Sequence, residues 1–125
     1  MHRLEFYFNC LEGRYFFVFE DGIYSIETDI PSFTDKSGEL TKKEINTFSD
    51  KLNAAKIEAW DRYYLPEGEG IEDGVKWKVR LIKDDKEYVS EGEESYEPYG
   101  YEYFIEALKL IEDYADYFAA KGNDE

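Results

Sequence analysis

The chain has one cysteine, one histidine and three prolines in 125 residues, and half as many cations as anions. A single cysteine excludes an internal disulfide. With only one histidine beside it, a Cys/His zinc site and the usual histidine-based triads are excluded too. No stretch approaches the about eighteen apolar residues of a membrane span, and no charged-then-apolar leader opens the sequence, so a cytoplasmic location is expected. Fifteen Lys and Arg against thirty Asp and Glu leave a net charge of −15 at pH 7. Such a surface disfavours direct contact with nucleic-acid phosphates, which depends on Lys and Arg.

Aromatic residues are abundant instead: twelve Tyr, nine Phe and two Trp. Acidic disordered segments are poor in such residues, so the composition predicts a folded, well-cored domain beneath a charged surface. The length fits one domain over 1–125, with no linker long or polar enough to divide it.

Three strand-like segments open the chain. In Leu4–Leu11, Leu4, Phe6 and Phe8 alternate with Glu5, Tyr7 and Asn9. Glu12-Gly13 reads as a two-residue turn into Arg14–Glu20, whose run Tyr15–Phe19 is apolar on both faces and predicts a central strand covered on both sides. Asp21-Gly22 is a hairpin signal, because a type I′ turn needs positive φ at both central positions, and Ile23–Thr28 completes a meander. Residues 29–40 carry Pro, Gly, Ser and Asp and read as a connection. A helix then begins at Thr41, with Glu44 closing a capping box, Leu40 and Ile45 as a hydrophobic staple, and Ile45, Phe48, Leu52 and Ala55 as its apolar stripe.

The second half repeats this order. Ile57–Leu65 reads either as a strand or as a further turn of helix. Glu67–Gly74 is an acidic, glycine-rich loop. Val75–Lys83 alternates, with Val75, Trp77, Val79 and Leu81 inward. Asp84–Lys86 turns the chain into Glu87–Glu91, the loop Gly92–Gly100 follows, and a long helix runs to about Lys121, with Gly122 as its left-handed stop. The expected fold is therefore α+β: an antiparallel sheet in the order β-β-β-α-β-β-β-α with helices packed on it.

Three features bear on function. The last helix carries a core stripe of Phe104, Leu108, Ile111, Ala115 and Phe118. Beside it runs a stripe with Tyr103, Tyr114 and Tyr117, and beyond that an acidic stripe of Glu102, Glu106, Asp113 and Asp116, interrupted by Lys109. The tyrosines suit either a boundary layer with rings half covered or a protein-binding face. In a second feature, hairpin geometry brings together two acidic segments, Glu67, Glu69, Glu72 and Asp73 with Glu91, Glu93, Glu94 and Glu97. They read as a solvated rim, as a surface for a basic partner or as a calcium site, although no EF-hand spacing is present. The third, Lys76, Lys78 and Arg80, is the basic strip, expected to pair with glutamates on neighbouring strands. His2 at the terminus and Cys10 at a strand end are poor catalytic candidates, and no glycine-rich phosphate loop occurs, so neither an enzyme nor a cofactor is expected.

Trp60-Asp61-Arg62-Tyr63 followed by Asp73-Gly74-Val75-Lys76-Trp77 and a Pro98 loop resembles small bacterial proteins with a W-x-x-Y…D-G-x-x-W layout. In overall character the chain is similar to phage-encoded inhibitors such as the anti-CRISPR proteins and other nucleic-acid mimics. That resemblance implies an acidic inhibitor of a basic, nucleic-acid-binding partner protein. The physical basis is that acids four residues apart on a helix rise by about 6 Å, comparable to phosphates along a strand. An adaptor or immunity-type module using the tyrosine stripe is the alternative, and a carboxylate- or divalent-metal-dependent enzyme is the third reading.

Overall fold

The alternation of Leu4, Phe6 and Phe8 with their polar neighbours is realised in a computed structural model, which describes residues 3–64, 76–93 and 98–119. The elements are β1 (Arg3–Cys10), β2 (Gly13–Glu20), β3 (Ile23–Thr28), β4 (Lys36–Glu39), α1 (Lys42–Ala55), β5 (Tyr63–Tyr64), β6 (Lys76–Lys83), β7 (Lys86–Glu93) and α2 (Tyr101–Leu108). Short 3-10 turns lie at Ile57–Ala59 and Ala115–Phe118. The strands form one sheet in the order β4-β3-β2-β1-β6-β7-β5. Every neighbouring pair is antiparallel except β5 with β7, so this α+β fold has a mixed sheet.

Local chemistry places most of these elements. Asp21 and Gly22 have φ of 52° and 86°, the two positive values of a type I′ turn. Asp84 and Asp85 make the equivalent turn at 54° and 67°, a conformation that a short polar side chain tolerates. The first hairpin turns on Leu11-Glu12 rather than Glu12-Gly13, since Cys10 pairs with Gly13. Thr41 caps α1, its Oγ1 accepting from Glu44 N at 3.1 Å while Glu44 Oε1 accepts from Thr41 N at 2.8 Å. Phe48, Leu52 and Ala55 are buried, and Leu40 and Ile45 are half-buried against the core.

The sheet departs from expectation in three places. Residues 29–40 contain the extra strand β4, which pairs with β3; Gly38 stands opposite Tyr24, whose ring lies where a side chain at 38 would stand. Of the segment 57–65, residue 65 lies outside the described residues, and 57–64 are neither a full strand nor more helix. Lys56, at φ 55°, ends α1 in the left-handed conformation, and after the 3-10 turn only Tyr63–Tyr64 reaches the edge of β7. Third, among the described residues β2 is covered by helices on one face, not two. Both helices pack on the side of Phe17 and Phe19, leaving Phe16 and Val18 half-buried on the other.

The core lies between that covered face and the helices. Phe6 meets Phe104 and Phe118 at centroid distances of 5.1 and 5.2 Å, and Phe19 meets Phe48 at 4.8 Å. Trp77, Val79 and Leu81 are buried as their alternation predicts. No helix of the described residues is long and apolar enough to cross a membrane.

Candidate functional site

The residues singled out on the last helix do not share a helix. α2 stops at Leu108, and the amides of Leu110 and Ile111 bond carbonyls three residues back, at Ala107 and Leu108. The chain then reverses. Tyr101 Oη donates to the carbonyl of Phe118 at 2.9 Å, whereas in a straight helix these residues, seventeen positions apart, would be separated by a rise of about 25 Å. At the bend, Glu112 turns into the core and accepts the Tyr15 hydroxyl at 2.8 Å while only 4% exposed. Burial and this carboxylate raise the Tyr15 hydroxyl far above the ordinary tyrosine range. Phe104, Leu108, Ile111, Ala115 and Phe118 are all buried as the stripe requires, but they achieve it by folding back, with Phe118 against Phe8 and Tyr15 at 4.7 and 4.5 Å.

This bend breaks the regular row of acids. Glu102 and Glu106 stay exposed on α2, Asp113 lies in the turn, and Asp116 lies in the 3-10 segment. Lys109 reaches both groups, 3.0 Å from Asp116 and 3.9 Å from Glu106. The rise of about 6 Å per four helical residues therefore does not extend across the four positions.

What the bend creates instead is a corner. Asp113, Tyr114, Asp116 and Tyr117 join Ser32 and Phe33 around a depression of about 510 Å³. Phe33 and Tyr117 meet nearly perpendicularly at 5.2 Å and form its apolar wall. Tyr114 is 70% exposed. Tyr117 is held in place, its hydroxyl donating to Glu12 and lying 3.6 Å from Cys10 Sγ. Burial, then the Glu12 bond, pushes that hydroxyl above the ordinary tyrosine value. Aromatic surface rimmed by carboxylates is suited to a cationic side chain, whose stem packs on the rings while its charge meets the acids. Tyr103, 44% exposed on α2, does not line the depression.

Of the two acidic segments, Glu67, Glu69, Glu72, Asp73, Glu94 and Glu97 lie outside the described residues, as do His2, Val75, Lys121 and Gly122. Glu91 and Glu93 belong to β7, which continues two residues past its expected end. Glu91 pairs with Arg62. Among the described residues no group of three or more His, Cys, Asp or Glu could hold a metal ion.

The basic strip behaves in part as expected. Arg80 reaches Glu5 at 2.9 Å and Glu87 at 2.5 Å. Glu5 is also held by Arg3 at 2.5 Å and accepts the Tyr7 hydroxyl at 3.0 Å. Although Glu5 is 4% exposed and its burial alone would raise its pKa, the Arg3 and Tyr7 hydrogen bonds and the Arg80 charge outweigh that and hold it below the usual value. Glu5, Glu12 and Glu112 were not among the candidates read from the sequence. Glu112 had a local signal, as a lone acid on the apolar side of the helical wheel; Glu5 had one too, with Arg3 and Tyr7 two residues away on the same strand face, whereas the Glu12 partner Tyr117 is distant in sequence.

No protein-family model matches this chain, and no curated protein is significantly similar to it.

Proposed function

We propose that the chain is an acidic binding protein that docks on a basic surface of a partner protein, of the kind used to hold nucleic-acid phosphates. The observation that carries this reading is the convergence of Asp113, Tyr114, Asp116 and Tyr117 on one depression, on a chain with a net charge of −15. Net negative charge steers a basic partner into encounter, and the exposed aromatic ring supplies the contact area that charge alone does not. In this role the protein acts by occupancy, as an inhibitor does, and not by chemistry.

The exposure of Tyr114 favours one further reading, an adaptor whose contact is mainly aromatic. Salt separates the two, because screening shortens the reach of surface charge to about 3 Å at 1 M and leaves aromatic burial in place. The experiment is affinity capture from a lysate with the full chain and with its Asp113→Lys/Asp116→Lys variant, at low and at high salt. A nucleic-acid-binding protein held by the wild type at low salt, shed at high salt and absent from the folded variant is the expected result. Retention at high salt that depends on Tyr114 selects the adaptor. Capture by wild type that neither Asp113→Lys/Asp116→Lys nor Tyr114→Ala reduces, or no capture at all, overturns both. Charge reversal at Glu102 and Glu106, away from the depression, is expected to weaken capture less.

A further inference from the structure

The outer face of α2 carries apolar side chains where a solvated helix is polar. Tyr103 and Leu110 stand exposed there. Although α2 ends at Leu108, the amides of Lys109 and Glu112 still bond carbonyls four residues back, at Ile105 and Leu108, so Leu110 keeps the helical path. The two residues are seven positions apart, two turns and a rise of about 10 Å, and so share one face. Tyr114, exposed in the turn that follows, lies where this row meets the Asp113 corner. Single exposed apolar residues are ordinary, but a row of them marks a contact surface.

Backbone and charge define what fits this row. The backbone of an α-helix is bonded to itself, so the row offers no main-chain partner. An extended segment laid on it would leave polar backbone groups against apolar side chains, whereas a helix satisfies its backbone internally and packs ridge into groove. Glu102 and Glu106, four positions apart, flank the row, and Asp113 lies at its end, all three exposed. Lys109 is the only cation in the sequence between Tyr99 and Phe118, and it reaches Glu106 and Asp116. Among the described residues, Glu102 and Asp113 take part in no ion pair. A second copy would bring the same acids against this flank on a chain of net charge −15. Lys and Arg complement it instead.

We propose that this face of α2 receives a basic amphipathic helix of the partner protein. The apolar residues of that helix lie along Tyr103 and Leu110, and its Lys and Arg residues meet Glu102, Glu106 and Asp113. The inference rests on the docking reading above and extends it: the corner takes a cationic side chain, and the α2 face supplies the continuous contact beside it.

The test titrates the full chain, followed by nuclear magnetic resonance, with a synthetic peptide of Leu, Lys and Arg patterned as an amphipathic helix and with a scramble of the same composition. The patterned peptide is expected to saturate, with shifts at Tyr103 and Leu110. The scramble, with the same charge but no apolar face, is expected to bind about tenfold or more weaker. Tyr103→Ser/Leu110→Ser is expected to remove that preference while leaving the melting temperature close to wild type, since both side chains are exposed. Glu102→Lys/Glu106→Lys is expected to weaken both peptides. No saturable binding of the patterned peptide, equal binding of the two by the wild type, or a preference that survives Tyr103→Ser/Leu110→Ser overturns the inference. So does lysate capture that needs Asp113 and Asp116 but is unchanged by Tyr103→Ser/Leu110→Ser, a result that leaves the docking reading standing. Peptide binding at this face with no basic partner captured is the separate failure of the docking reading.

Discussion

The two faces of the sheet differ by a single-residue step along each strand. One face presents Leu4, Phe6, Phe8, Tyr15, Phe17, Phe19, Trp77, Val79 and Leu81, all buried beneath two helices. The other presents Arg3, Glu5, Tyr7, Phe16, Val18, Lys78 and Arg80, with no helix of the described residues over them. Even so, Glu5 on the open face is as inaccessible as many core residues, because the Arg3 and Arg80 side chains lie over it. Burial on the first face comes from apolar packing that removes surface from water. On the second it comes from long charged side chains that cover one another with their stems and neutralise in pairs. The covered face should therefore dominate stability, while the open face should be sensitive to pH and salt.

The largest expected contrast is between two phenylalanines. Phe6→Ala opens a cavity among Phe8, Tyr15, Phe104 and Phe118 and is predicted to cost about 3–5 kcal/mol in urea unfolding. Phe16→Ala removes a ring stacked 4.4 Å from Tyr7 on the open face and is predicted to cost only about 1 kcal/mol. Equal costs would mean that the open face is covered after all.

Tyr15→Phe comes next. It leaves the Glu112 carboxyl buried without the donor that holds it at 2.8 Å and is expected to cost about 1–3 kcal/mol. It should also loosen the bend after α2, seen as faster amide exchange over 109–118. A change in stability without faster exchange there would separate the Tyr15–Glu112 bond from the bend.

Glu5→Gln probes the charged face. The folded-state pKa of Glu5 lies below the ordinary value, and the unfolded value is about 4.3. Its contribution is therefore fully present above pH of about 4.3 and is lost as pH falls through the lower, folded value. The variant is expected to be about 1–2 kcal/mol less stable at neutral pH, with the gap closing in strong acid. A gap that is constant with pH would show that the loss is one of packing and not of charge.

The smallest effect is expected at Lys109→Met. Its pairs with Glu106 and Asp116 are exposed, so stability should be almost unchanged. Removing this cation makes the Asp113 corner more acidic, so low-salt capture of a basic partner should strengthen.

The same contrast explains what could be read from the sequence. Features written in neighbouring residues were legible: the Asp21-Gly22 turn, the Thr41–Glu44 capping box, and the alternation of Leu4, Phe6 and Phe8 and of Trp77, Val79 and Leu81. Each depends on local backbone preference or on a two-residue period. The end of α2 was not legible, because the periodicity of Phe104, Leu108, Ile111, Ala115 and Phe118 continues through it. The bend depends on Tyr15 and Tyr101 receiving partners far along the chain. For the same reason the candidate site was half legible. Asp113, Tyr114, Asp116 and Tyr117 were among the candidates read from the sequence, but their convergence with Phe33 and Glu12 required the reversal. The one-sided covering of β2 was also beyond reach, since Tyr15–Phe19 is apolar at every position and does not record which face the helices choose.

The central claim is that the partner binds at the Asp113 corner and not on the open sheet face. The most direct measurement is amide hydrogen exchange on the full chain with and without its captured basic partner. Slowed exchange across 110–118, together with the neighbouring segment around Phe33, is the predicted result. Protection confined to 76–93, with 110–118 unchanged, would contradict it.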